Sequence, residues 1–146
     1  MKILALDIGK KSTGVASSDE LLMFAHPRKN LTGDHDQQFI QLLELLKSEN
    51  HNLIVVGLPL ELDGRSGAKA KEIIAEAGKL QSKLRLQGID IPFDFIDERL
   101  TTKEAEIILS NSRSGKSKLK DREKSKKLDT LSAVLILESY MSSISK

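Results

Sequence analysis

The sequence predicts an α/β protein with a five-stranded mixed sheet, its three N-terminal strands antiparallel and helices on both faces. Two observations carry this. Three extended runs joined by short polar turns open the chain, and helical and extended periodicities alternate after them. A third is the run Leu53-Ile54-Val55-Val56-Gly57, β-branched and without polar interruption, as expected of a parallel strand buried on both faces.

Met1 to Ile8 reads as a buried strand ending at Asp7-Ile8-Gly9, followed by a turn over Lys10 to Thr13. Gly14 to Ser17 resumes the extended run, and Leu21 to His26 is the third strand, stopped by Pro27. Asp34 caps the first helix, with Gln37 at capping-box spacing and Phe39, Leu42, Leu43 and Leu46 as its apolar stripe. Ala70, Ile73, Ile74, Ala77, Leu80 and Leu84 define a second helix, and Ile91 to Ile96 a fifth strand. Thr101 and Glu104 form a second capping box before a short helix through Leu109. The last helix is expected from about Lys127 to Ser142, buried at its centre. Between these two helices, about 111–126 is polar, lysine-rich and aperiodic, and reads as a mobile basic loop.

At 146 residues the chain suits one domain, 1–146, able to bury roughly two-thirds of its unfolded surface. It has no cysteine, which excludes a disulfide scaffold, a zinc ribbon and a cysteine nucleophile. No signal peptide or membrane span is expected, so the expected location is the cytoplasm. Net charge is only +2, but Arg113 to Lys127 holds eight basic residues against two acidic ones. That segment is a local +6 and leaves the remainder at −4.

Ligand sites in open α/β sheets gather beyond the carboxyl ends of parallel strands. Asp7 lies at such an end on strand one, and Asp97 and Glu98 at the end of strand five. Asp129 is expected in the first turn of the last helix. With strands one, four and five as neighbours, Asp7, Glu98 and Asp129 converge on one cleft. Three carboxylates together need cations, and an all-oxygen set suits Mg²⁺ or Mn²⁺. Two such ions would activate a water and stabilise the leaving oxygen of a phosphodiester. Plainer readings exist for each residue: Asp7 as part of an Asp-x-Gly turn, Glu98 as a surface partner of Arg99, Asp129 as a helix-dipole residue. Asp19 and Asp63 read as turn residues, and His26, His35 and His51 show no ligand spacing.

Arg65 sits in a loop leading to the start of the second helix, where backbone amides can hold a phosphate. Arg113, Lys116, Lys118 and Lys120 form a candidate clamp on a phosphate backbone, and a solvated surface is the alternative. With one Tyr, four Phe and no Trp, base stacking is not expected.

Leu6-Asp7-Ile8-Gly9 with Gly14-Val15-Ala16, Val56 to Leu60 with Asp63-Gly64, Asp97-Glu98-Arg99-Leu100-Thr101-Thr102 with Glu104-Ala105, and Asp129 with Ala133 to Leu137 occur in that order. Together they resemble the YqgF (RuvX) family over nearly the whole chain. The resemblance implies an RNase H-like fold related to RuvC-type Holliday junction resolvases. It implies nuclease activity with Asp7, Glu98 and Asp129 as the acidic triad, on branched DNA or on the 5′ end of pre-16S rRNA in ribosomal precursor particles. Where the family usually has Arg, two residues before Gly14, this chain has Ser12 with Lys10 and Lys11 nearby, so the substrate contact of that Arg either passes to Lys11 or is lost. Arg99 belongs to the same nucleic-acid-facing set. Junction cleavage calls for a two-fold homodimer, whereas trimming one RNA end needs only a monomer.

Two other classes fit parts of the pattern. Asp-x-Gly before a β-turn resembles the phosphate loop of sugar- and actin-type ATPases, which need two such domains. A non-catalytic nucleic-acid-binding module on the same fold would retain the acids without turnover.

Overall fold

A computed structural model describes residues 1–59, 67–97 and 121–145, with 121–130 as backbone only. The order is β1 (Ile3–Asp7), β2 (Ser12–Ser18), β3 (Ala25–Thr32), α1 (His35–Ser48), β4 (Leu53–Leu58), α2 (Ala68–Leu86), β5 (Phe93–Asp97) and α3 (Asp121–Ile144). The sheet runs β3-β2-β1-β4-β5. β1 pairs antiparallel with β2 and parallel with β4, and β4 is parallel to β5, so the expected mixed sheet is present.

Side chains alternate across the sheet and build two cores. Leu4, Leu6, Val15, Ile54 and Val56 face α1 and α2, joining Leu42, Leu46, Ile73, Ala77 and Leu84. Ile3, Ala5, Ala16, Leu53 and Val55 face α3 and meet Ala133, Ile136, Leu137 and Met141. Helices therefore cover both faces, and β1 and β4 are apolar because neither of their faces meets water.

Capping is local and matches the expectation. The Asp34 carboxylate accepts from the Gln37 N–H at 2.9 Å, while the Gln37 side-chain oxygen accepts from the Asp34 N–H at 2.9 Å. The stripe of α1 is shifted from the expected one. Gln38, Leu42 and Leu46 are its buried row, and Phe39 and Leu43 only pack partly against the core. On α2, Ile74 is 41% exposed, outside the row of Ala70, Ile73, Ala77 and Leu84.

β2 begins at Ser12 rather than Gly14 and β5 covers Phe93–Asp97 rather than Ile91 to Ile96, and larger differences fall at β3 and α3. The third strand is Ala25–Thr32 and includes Pro27, because β3 is a sheet edge where a missing N–H costs little. Leu21 to Phe24 form the β2–β3 connection instead. The Asp19 carboxylate accepts from the N–H groups of Met23 and Phe24 at 2.8 Å each, and Leu22 takes a left-handed φ of 56°. Leu21, Met23 and Phe24 are left 78%, 65% and 61% exposed, so an apolar run that looks like a strand is a hairpin tip. α3 begins at Asp121, so residues 121–126 are helical rather than loop. The rest of the expected loop and the helix through Leu109 lie outside the described residues. Among the described residues no helix is long and apolar enough to cross a membrane.

The start of β1, the middle of β3 and the end of α1 are tied by charge. Glu49 accepts from Lys2 Nζ at 2.8 Å and from both terminal nitrogens of Arg28. Arg28, and then Lys2, hold its carboxyl down to about 2. A carboxyl depressed on folding contributes stability above its unfolded pKa and loses it as pH falls through the folded value. Glu49→Gln should therefore cost about 1–2 kcal/mol at pH 7 in urea unfolding. The gap to wild type should narrow as the pH is lowered from about 5 towards 2.

Candidate active site

Asp7 is the last residue of β1 and half-buried. It continues the Ile3–Ala5 side of the strand, the side that α3 covers. Its cross-strand neighbour on β2 is Gly14, which brings no side chain over it. β4 ends beside it at Leu58, which pairs with Asp97 at the end of β5. Two strand spacings, about 10 Å, separate β1 from β5. On β5, Phe93 and Phe95 pack against the α1–α2 core, whereas Ile96 packs against the α3 core and Asp94 accepts from Tyr140 Oη at 2.7 Å. Even-numbered positions of β5 thus share the face of Asp7, and Asp97 has the other parity.

The turn after Asp7 is tightly built. A Cβ on Gly9 would overlap the Ser12 carbonyl oxygen, so only glycine fits the close approach. The Gly9 N–H donates to Thr13 Oγ1 at 3.3 Å, and Thr13 Oγ1 donates to Gln38 Oε1 at 2.5 Å. Gln38 Nε2 is shared among the carbonyls of Gly9, Lys10 and Gly33 at 3.3, 3.1 and 3.0 Å. The Gly33 N–H donates to the Lys11 carbonyl at 3.1 Å. Gln38 escaped sequence reasoning, although its spacing from Leu42 and Leu46 marks it as a member of the buried row.

Of the expected site residues, Asp7 stands at a strand end as foreseen, and Lys11 is exposed in the turn beyond it. The Ser12 hydroxyl is buried with no hydrogen-bond partner among the described residues. Asp129 is the ninth residue of α3 rather than part of its first turn. That position removes the helix-dipole reading, since the dipole acts within the terminal turn. Glu98, Arg65, Arg99, Arg113, Lys116, Lys118 and Lys120 lie outside the described residues. Among the described residues no three His, Asp or Glu side chains gather as a metal site. The histidines are dispersed: His51 bonds Ser17 at 2.8 Å, His35 pairs with Glu76 at 3.3 Å, and His26 lies near Phe24.

Solved structures share this architecture. Thermus thermophilus RuvC in complex with a Holliday junction substrate aligns with a TM-score of 0.54 at 14% identity, covering 97% of this chain and 96% of that one. A second T. thermophilus RuvC structure gives 0.52 at 13% identity, covering 97% of each chain. The fold is therefore RNase H-like, the class to which RuvC belongs. The sequence is closer to other proteins. A relative from Maridesulfovibrio salexigens is 35% identical, covering 97% of this chain and 98% of its own, and one from Lactococcus lactis subsp. cremoris is 37% identical, covering 96% and 93%. Both carry the name "Putative pre-16S rRNA nuclease". The RuvX family, described as Holliday junction resolvase, matches residues 1–143, and this chain belongs to that family of nucleases.

Gly9→Ala tests how tightly the turn is built. The overlap with the Ser12 carbonyl should lower stability by about 1–3 kcal/mol in urea unfolding.

Proposed function

We propose that this chain is a divalent-metal-dependent nuclease that hydrolyses phosphodiester bonds in the 5′-end maturation of pre-16S rRNA. The observation that carries it is the place of Asp7, at the carboxyl end of a central strand and on the face covered by the helix that bears Asp129. Glu98 follows Asp97, the last residue of β5, and is taken as the third member on the family resemblance. Asp97 has the wrong parity for that role.

Asp7, Glu98 and Asp129 would hold Mg²⁺ or Mn²⁺, two ions in all, since carboxylate oxygens suit these hard cations. When bound, the ions supply charge neutralisation at the phosphate and an acidified water. The chain's own task is to keep three like charges close at the end of a rigid sheet and to seat the backbone. Lys11, Arg65, Arg99, Arg113, Lys116, Lys118 and Lys120 would make the phosphate contacts. Lys11 lies in the turn that follows Asp7 and would reach the phosphate that Ser12, short and uncharged, does not hold. The whole chain acts as one domain in the cytoplasm, on structured RNA within ribosomal precursor particles.

The names of the relatives favour the RNA substrate. The family description and the fold shared with RuvC favour a second reading, cleavage of branched DNA by a two-fold homodimer. A monomer suffices for the first reading. Purified protein should cleave a pre-16S 5′ leader in Mn²⁺, and Asp7→Asn should lower the rate at least about 100-fold with the fold intact. Equal cleavage by the variant removes the site assignment. Preference for a four-way DNA junction over the leader selects the second reading, and binding without cleavage of either leaves a non-catalytic module. Lys11→Ala should weaken binding similarly for all sequences and lower the slope of log K against log salt by about 1, measured by fluorescence anisotropy.

A further inference from the structure

An amide is an expensive choice for a buried row. Gln38 is 6% exposed, in the same buried row as Leu42 and Leu46, which follow it one and two helical turns on. An unsatisfied amide in such a place costs about 1–3 kcal/mol, so its partners must compensate. Those partners are all at one place. Gln38 holds the carbonyls of Gly9 and Lys10, and its neighbour Gly33 holds that of Lys11, so three successive carbonyls are anchored from the β3–α1 junction. Thr13 closes the loop by linking Gln38 Oε1 to the Gly9 N–H, two residues from Asp7. Sterics do not demand glutamine here. Gln38 borders a cavity of about 810 Å³ whose wall includes Leu31, Leu42 and Leu80, where a leucine would find apolar neighbours.

We propose that Gln38 is a positioning residue for the active site: with Thr13 it fixes the β1–β2 turn, and the turn fixes the direction of the Asp7 carboxylate and the place of Lys11. This rests on the reading of Asp7 as a metal-holding carboxylate. Outer groups that orient a metal-binding side chain are typically worth 10–100-fold in metal affinity.

The test uses the full chain without substrate and titrates it with Mn²⁺ by calorimetry. Deuterium uptake at the amides of residues 9–13 and urea stability are measured alongside. Gln38→Leu and Thr13→Val should each weaken Mn²⁺ binding about 10-fold or more and speed exchange at these amides. Thr13→Ser, which restores the hydroxyl, should return both to wild-type values. Should Gln38→Leu fail to fold, Thr13→Val carries the test, because it keeps the volume and removes only the hydroxyl. Mn²⁺ affinity within twofold of wild type in the folded variants, whatever their stability, overturns the proposal and leaves Gln38 a stability residue. Asp7→Asn separates the two levels. If it binds Mn²⁺ as wild type does, the reading of Asp7 fails and the role of Gln38 with it. If it abolishes binding while the Gln38 and Thr13 variants bind normally, only the positioning role fails.

Discussion

β1 is bound on both edges and buried on both faces, and its register decides the rest. Leu6 sits between Val15 on one side and Val56 on the other, so no neighbour can slip without breaking a second ladder. Period-two alternation then sends Ile3 and Ala5 to α3 and Leu4 and Leu6 to α1 and α2. The same count sends Asp7 to the α3 face. A slip of one residue would exchange both cores and carry the carboxylate to the opposite face. Apolar packing therefore sets which face the carboxylate at the strand end lies on.

Polar order begins where that ladder ends. Beyond Asp7 the backbone leaves the sheet, and its carbonyls need partners that β4 cannot supply. Gln38, Thr13 and Gly33 provide them, and the bare Cα of Gly9 lets the turn close on Ser12. The Glu49 cluster does comparable work at the other end of the sheet, but with charge. There the groups are partly exposed, so full ion pairs are tolerated.

Much of this is legible in the sequence because it is local or periodic. The Asp34–Gln37 box, the unbroken apolar run of β4 and the leucine row of α1 need no tertiary information. What misleads is hydrophobicity at a turn. Leu21 to Phe24 resembles a strand, yet Asp19 and the left-handed Leu22 make it a hairpin tip, while Pro27 is admitted to β3 because that strand is an edge. α3 starts earlier than its apolar content suggests, since a lysine-rich segment can extend a helix whose later turns are anchored in a core. At the site, Asp7 could be found from its place after a strand. Glu98 and Asp129 were candidates from their expected places at a strand end and in the last helix, and the family resemblance joined them to Asp7 as a triad; Glu98 lies outside the described residues. Gln38 was hidden because its partners are backbone carbonyls, which leave no mark on the sequence.

The placement of the two polar assemblies has a consequence for how this protein can change. In the charged cluster Lys2 sits just before β1, at the end away from Asp7, and Arg28 reaches Glu49 from the middle of β3. The anchor at the start of β1 and the turn that follows Asp7 are thus built from different residues. Change in the turn can proceed without eroding the anchor, a separation that lets a single scaffold diversify.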